Sequence, residues 1–263
     1  MSTTPLFFTL FATVGAVAGS FLSLVSQRYH PELSDRQWLR ALWLPSSHCD
    51  SCGHKLYWKE LIPLLSWFAL GRRCCYCHSP VAAQTVVFEI SGIFIFVVNA
   101  ALFTSPLTLI SATLFSSLLL VLADIDRRFQ QLPDSLTYLL LWSGLGYSLF
   151  QPRFSPADAI LGAFLGYLFL WLLAFVYRLI RKCEGLGYGD MKLFAALGAW
   201  SGWQALPVIA VIAASLAFSM LVVLYVAGRK WKKDSPLPFG PFLATAGWYV
   251  MMMQQPFSLN LRL

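Results

Sequence analysis

Three stretches of this chain, Pro5–Ser26, Thr85–Phe103 and Leu206–Ala227, run for about twenty residues each with almost no charged side chain. A helix of that length crosses a hydrocarbon core of about 30 Å, and in water so much continuous apolar surface would have to be buried at once. Of the 263 residues 58% are hydrophobic and 12% are charged, against the roughly 25% charged residues of a soluble domain. These features exclude an ordinary water-soluble core and define a membrane protein. The first run lacks a basic stretch before it and is longer than the apolar segment of a secretory signal, so it reads as a retained transmembrane helix.

Apolar patterning places helices at about 5–26, 85–103, 106–125, 135–150, 157–180, 190–203, 206–227 and 238–254. The expected fold is all-α: a polytopic bundle of about eight transmembrane helices. It divides into a first helix (1–26), a cytoplasmic loop domain (27–84) and a membrane core (85–263). The sixth helix is short for a span and should sit deep or enter obliquely, with Gly198 and Gly202 admitting close neighbours. If the N-terminus is outside, 17 of the 19 Lys and Arg residues fall in the segments 27–84, 126–134, 178–192 and 228–237, leaving only Arg153 and Arg262 on the other side. Basic residues concentrate on the cytoplasmic side of membrane proteins, so both termini are expected in the periplasm of a Gram-negative host. The net charge of +7 is then a topological signal, with membrane lipid as the partner and no nucleic acid implied; the Lys-rich loop 229–236 reads first as a positive-inside anchor, with contact to anionic lipid as the alternative.

The loop carries Cys49-Asp-Ser-Cys52 and Cys74-Cys-Tyr-Cys77. Two such pairs at this separation suit one tetrahedral zinc ion with four thiolate ligands, a closed shell that is structural. A pair of disulfides is the competing reading, disfavoured in a reducing cytoplasm. His48, His54 and His78 flank the pairs and read as turn residues, while Cys75 and Cys183 have no evident partner.

Acidic residues at membrane helix ends tend to mark function. Asp134 follows Pro133 at a helix start and Asp158 has a similar position, both ordinary N-terminal chemistry. Asp126, at the inner end of the third helix, and Asp190, in Gly187-Tyr-Gly189-Asp190, differ: they are expected at the same depth on different helices. The two glycines are expected to let the backbone bend and a peptide approach. Two carboxyls sharing one proton can cleave a peptide bond, one activating water and the other polarising the carbonyl. The competing reading has Asp190 capping its helix and Asp126 paired with Arg127 or Arg128.

At these residues the chain resembles the type IV prepilin peptidases, the GxGD-type membrane aspartic proteases. The pattern D-x6-P-D is met by Asp126 with Pro133-Asp134, and G-x-G-D-x-K by Gly187, Gly189, Asp190 and Lys192. Gly19-Ser-Phe-Leu22, Pro63-Leu-Leu-Ser-Trp67, the four cysteines and Pro238-Phe-Gly-Pro-Phe242 also match, so the likeness runs from about residue 15 to 250. Ser23, Arg28-Tyr-His-Pro and Gly71-Arg-Arg-Cys74 depart from the usual pattern without touching the acidic pair. The resemblance implies an inner-membrane enzyme that removes short basic leaders from prepilins or type II secretion pseudopilins, with Asp126 and Asp190 catalytic. The register selects Asp126 over Asp124. It also implies N-methylation of the new terminus from S-adenosylmethionine, although no glycine-rich nucleotide loop follows a strand and no residue is singled out for that step. A zinc protease would need a motif such as HExxH, which the chain lacks. A non-catalytic scaffold and an ion-coupled transporter using the same carboxylates are the remaining alternatives.

Overall fold

A computed structural model of the chain describes residues 5–44, 46–49, 51–64, 66–67, 71–150, 155–182, 187–228 and 237–254, the side chain of Trp58 excepted. Nine α-helices run through the described residues: α1 Pro5–Gln27, α2 Asp35–Ala41, α3 Ala83–Leu102, α4 Pro106–Phe129, α5 Asp134–Ser148, α6 Pro156–Arg181, α7 Tyr188–Ser201, α8 Leu206–Val226 and α9 Gly240–Gln254. All but the short α2 coincide with the eight expected helices to within a few residues. Five segments, α1, α3, α4, α6 and Trp203–Val226, are long and apolar enough to cross a membrane by length and composition. Their outward residues, such as Phe164, Phe169, Leu172 and Leu173 on α6, are large and apolar. That is the surface a lipid solvent selects, and the protein is a multi-pass membrane helix bundle.

The chain divides into two compact units, Met1–Thr113 and Leu114–Pro256. In the first, α1 packs along α3 through glycines. A Cβ added at Gly15 would lie 2.6 Å from the Gly92 carbonyl oxygen, and one at Gly19 would overlap the Phe88 carbonyl oxygen. Without a side chain the two backbones touch, which maximises dispersion where lipid gives no hydrophobic drive between helices. Gln27 donates to Thr85 Oγ1 at 3.1 Å, so the loop leaves α1 and rejoins α3 at one place. Glu89 on α3 is buried, and its Oε2 accepts the Leu64 N–H at 2.8 Å, tying the returning loop to the helix.

The second unit is organised around α7. Every residue of α7 from Asp190 to Ser201 except Lys192 is buried, which explains how a helix of 14 residues is accommodated: it lies against protein and need not match a bilayer. α6 lies against it with Gly162 facing the backbone of Gly198, while a Cβ at Gly166 would meet the Phe194 carbonyl oxygen at 2.9 Å. On α5, Gly144 makes room for Trp200, whose indole N–H donates to the Leu140 carbonyl at 2.7 Å. Gly202, at φ +76, ends α7. Gly162→Leu or Gly198→Leu has no flexible neighbour to displace and should destabilise the unit by about 3 kcal/mol or more. The expected result is loss of the protein from the membrane fraction, checked by immunoblot beside Gly146→Leu, where a Cβ meets open space.

Candidate functional site

α4 buries a stripe of Phe115, Leu118, Leu119, Leu122 and Ile125, at the three- and four-residue spacing of one helix face. Asp126 continues that stripe, four residues beyond Leu122, and is 5% exposed. The helix ends one turn later, where Gln130 adopts a left-handed conformation (φ 54°) and its N–H bonds to the Asp126 carbonyl at 2.8 Å. Asp126 lies twenty residues beyond Pro106, a rise of about 30 Å, so it comes at the far edge of a hydrocarbon core. Its Oδ2 accepts the backbone N–H of Gly240, the first residue of α9, at 2.9 Å. A Cβ at Gly240 would lie 2.7 Å from that oxygen.

Asp190 is the third residue of α7 and is also buried. Its Oδ1 has no hydrogen-bond partner among the described residues, so it does not act as a capping acceptor. The carboxylates of Asp126 and Asp190 are close enough to interact electrostatically. The fold therefore brings together the two residues that the sequence had separated by 64 positions. Asp124 is the residue that pairs with arginine: Arg127 at 2.7 Å, and Arg128 at 3.1 Å with an angle that falls short of a hydrogen bond. The competing reading of Asp126 as a surface charge bound to those arginines is thus transferred to its neighbour.

The glycines of the second motif do not supply the expected backbone bend. Gly187 has an ordinary φ of −74°, and a Cβ there would lie 3.7 Å from Asp190 Oδ2, an ordinary contact; Gly189 is helical. Neither supplies an unusual backbone bend. A Cβ at Gly189 would press on Leu132 at 3.0 Å, so this glycine lets α7 lie against the segment between Asp126 and Pro133. Asp134 lies in the first turn of α5, as expected of an acidic residue at a helix start, and its carboxylate also binds Lys192 Nζ at 2.5 Å. Asp158 does behave as expected, forming a capping box with Ser155. Cys183 lies outside the described residues.

Sequence reasoning missed Gly240 as a partner of Asp126. The signal was present in Pro238-Phe-Gly-Pro-Phe242, but a donor on the main chain leaves no mark in residue chemistry beyond the glycine itself. Gly240→Val should push the Asp126 carboxylate out of position and lower the leader cleavage implied by the family resemblance at least about 100-fold, whereas Phe242→Leu should be mild. Product yield, measured at equal amounts of membrane-extracted protein, checks this.

In the loop each CxxC forms a turn of the same kind. Cys49 N–H bonds to the His54 carbonyl and Gly53 N–H to the Cys49 carbonyl; Cys74 N–H bonds to the Ser79 carbonyl and His78 N–H to the Cys74 carbonyl. Isolated antiparallel bridges, His48 with Lys55 and Arg73 with Pro80, close the two turns. Gly53 (φ 69°) and His78 (φ 55°) occupy the equivalent left-handed position, four residues after Cys49 and Cys74.

The four sulfurs all lie within 4.8 Å of one another, with Cys49 Sγ to Cys77 Sγ 3.8 Å and Cys52 Sγ to Cys74 Sγ 4.0 Å. A tetrahedron with metal–sulfur bonds near 2.3 Å has edges of about 3.8 Å, whereas a disulfide needs about 2.05 Å. The cluster fits one metal ion. Its electrostatics agree: a hydrogen bond from the Cys52 backbone, aided by Ser79, brings the Cys49 thiol down to about 6. The His54 backbone N–H favours the Cys52 thiolate, but desolvation and the Cys77, Cys49 and Cys74 thiols outweigh it and push Cys52 up to about 12. Four thiolates cannot crowd together without a cation among them.

Cys75 and His54 depart from the sequence expectation. Cys75 donates to Glu60 Oε1 at 2.6 Å, which pushes its thiol up to about 11 and holds the Glu60 carboxyl below its usual range. His54 Nε2 is 4.0 Å from Glu60 Oε2, and its ring packs against Tyr76 with centroids 3.6 Å apart and planes tilted by 32°. His54 is therefore part of a side-chain cluster and not a solvated turn residue.

Comparison with known proteins agrees with this architecture. Residues 113–223 match the type IV leader peptidase family and residues 13–103 match the bacterial peptidase A24 N-terminal domain. The chain is 39% identical over 267 residues to a prepilin leader peptidase/N-methyltransferase of Burkholderia pseudomallei (strain 1026b), covering 94% of this chain and 86% of the relative. It is 38% identical over 261 residues to the protein of that name from Pectobacterium carotovorum subsp. carotovorum, covering 94% and 93%, and 36% identical over 265 residues to that of Aeromonas hydrophila, covering 94% and 91%. No solved structure matches the chain. The chain belongs to the type IV leader peptidase family.

Proposed function

We propose that this protein is a membrane aspartic endopeptidase that removes the short basic leader of type IV prepilins or type II secretion pseudopilins and then methylates the new N-terminus. The observation that carries the reading is the meeting of Asp126 and Asp190, two buried carboxyls from distant parts of the chain. In the proposed reaction one carboxylate takes a proton from water as it attacks the scissile carbonyl, and the other, protonated, donates to the carbonyl oxygen. The Gly240 N–H fixes the rotation of the Asp126 carboxylate while the reaction proceeds. The substrate is a membrane-inserted helix whose leader emerges at the cytoplasmic boundary of the inner membrane, the side on which 27–84 and 228–237 lie and from which both termini are turned away.

The metal we assign to Cys49, Cys52, Cys74 and Cys77 is structural zinc, which suits a closed set of four sulfurs and supplies folding energy to a small loop. The methylation reading, with S-adenosylmethionine as donor, rests on the names of the relatives and brings no residue with it. One assay tests both activities: purified protein is mixed with a prepilin and the intact mass of the product is read. The expected product has lost its leader and gained one methyl group. An unchanged prepilin mass would favour a scaffold or transporter, and a cleaved but unmethylated product would remove the second activity alone. Reporter fusions in 40–80 should signal a cytoplasmic location, and a periplasmic signal there would reverse the proposed orientation.

A further inference from the structure

We propose that His54, Glu60 and Cys75 form a second zinc site in the loop, separate from the four-cysteine cluster and with one coordination position left for water or an added ligand. Their ligand atoms lie within 4.8 Å of one another, and imidazole, carboxylate and thiolate are together a donor set for a borderline divalent ion such as zinc rather than for calcium or magnesium. The second, independent observation is His54 Nε2. It is a buried ring nitrogen with no hydrogen-bond partner among the described residues, and at 4.0 Å from Glu60 Oε2 it is too far to bond there. The tilted contact with Tyr76 restrains the ring, and the nitrogen lies within 4.8 Å of the carboxylate and thiol. The 2.6 Å contact of the Cys75 thiol with Glu60 is the arrangement of a protonated sulfur. On metal binding the ion takes the place of that proton, which is released to solvent, and sulfur, oxygen and nitrogen move to a tetrahedral separation of about 3.3–3.6 Å.

The chain order makes the site a tie. His54 and Glu60 follow the first CxxC, whereas Cys75 lies inside the second, so an ion here joins the two turns at a point away from the four sulfurs. Electrostatics also permits it. Four thiolates around one divalent ion carry a net formal charge of about −2, and a second cation balanced by one thiolate and one carboxylate adds no further negative charge. With three protein ligands the second ion is the more exchangeable of the two.

The test uses the full chain in detergent, saturated with zinc and freed of unbound metal, with zinc per chain measured by mass spectrometry and sulfur per zinc by X-ray absorption. The expected result is about two zinc ions per chain with about 2.5 sulfurs per ion, and loss of about one ion to a mild chelator. Cys75→Ser and the near-isosteric Glu60→Gln should each retain about one ion, with sulfur per zinc rising to about four. Retention of that first ion reports a folded loop. One zinc in the unaltered protein, about two in either variant, or none in both variants would each overturn the proposal. The four-cysteine reading fails separately, if the ion that remains in Cys75→Ser is not bound by sulfur.

Discussion

Asp126→Asn and Asp190→Asn should each lower leader cleavage at least about 1,000-fold while the protein still accumulates in the membrane. Asparagine keeps the size of each side chain, and at 126 it also keeps an oxygen to accept the Gly240 N–H, so the packing of α4 against the start of α9 survives. What is lost is the exchangeable proton on which both the base and the acid role depend. Asp124→Asn should behave differently. It removes ion pairs with Arg127 and Arg128, and pairs near a surface contribute about 0–1 kcal/mol, so a small loss of stability with near-normal cleavage is expected. Cleavage rates at equal protein levels decide the matter. If Asp124→Asn is dead and Asp126→Asn active, the first catalytic residue has been misassigned; if both dyad variants process prepilin, the aspartic mechanism is wrong.

The second large effect concerns the cysteine loop. Cys74→Ser replaces the most buried of the four sulfurs and should abolish binding of the proposed structural zinc. Apparent zinc binding in small zinc domains is on the order of 10–16 kcal/mol, far more than the folding energy a loop of this size gains from its own core. The expected outcome is rapid trypsin cleavage between 28 and 82, while fragments from 114 onward resist. A metal-free protein with a protease-resistant loop would show that the turns stand without the ion.

The helices were legible because lipid imposes a length rule on apolar runs, and charge marks where each run stops. The acidic pair was legible for a narrower reason. Asp126 keeps the register of Phe115, Leu118, Leu119 and Leu122, and Asp190 sits at the entrance of a helix with no charge beyond Lys192, so both are carboxyls on faces that must be buried. The role of Gly189 was misjudged because a glycine looks the same in sequence whether it frees a dihedral angle or admits a neighbour. Only Leu132, 57 positions earlier, distinguishes the two. Cys75 looked idle for a similar reason: its partner Glu60 is 15 residues away across an irregular turn, where no periodicity links one position to another.

The hydrogen bond from Gln27 to Thr85 has a consequence for how the chain can be built and altered. It makes the exit and the return of the loop neighbours, held by the glycine contact of α1 with α3 whatever lies between them. Closing a longer segment across fixed ends costs only about 0.6 kcal/mol per doubling of length. Apart from Leu64, whose N–H partners buried Glu89, the intervening residues therefore behave as an insertion whose size is nearly free to drift, able to lengthen or shrink over generations without disturbing the helix pair that carries it.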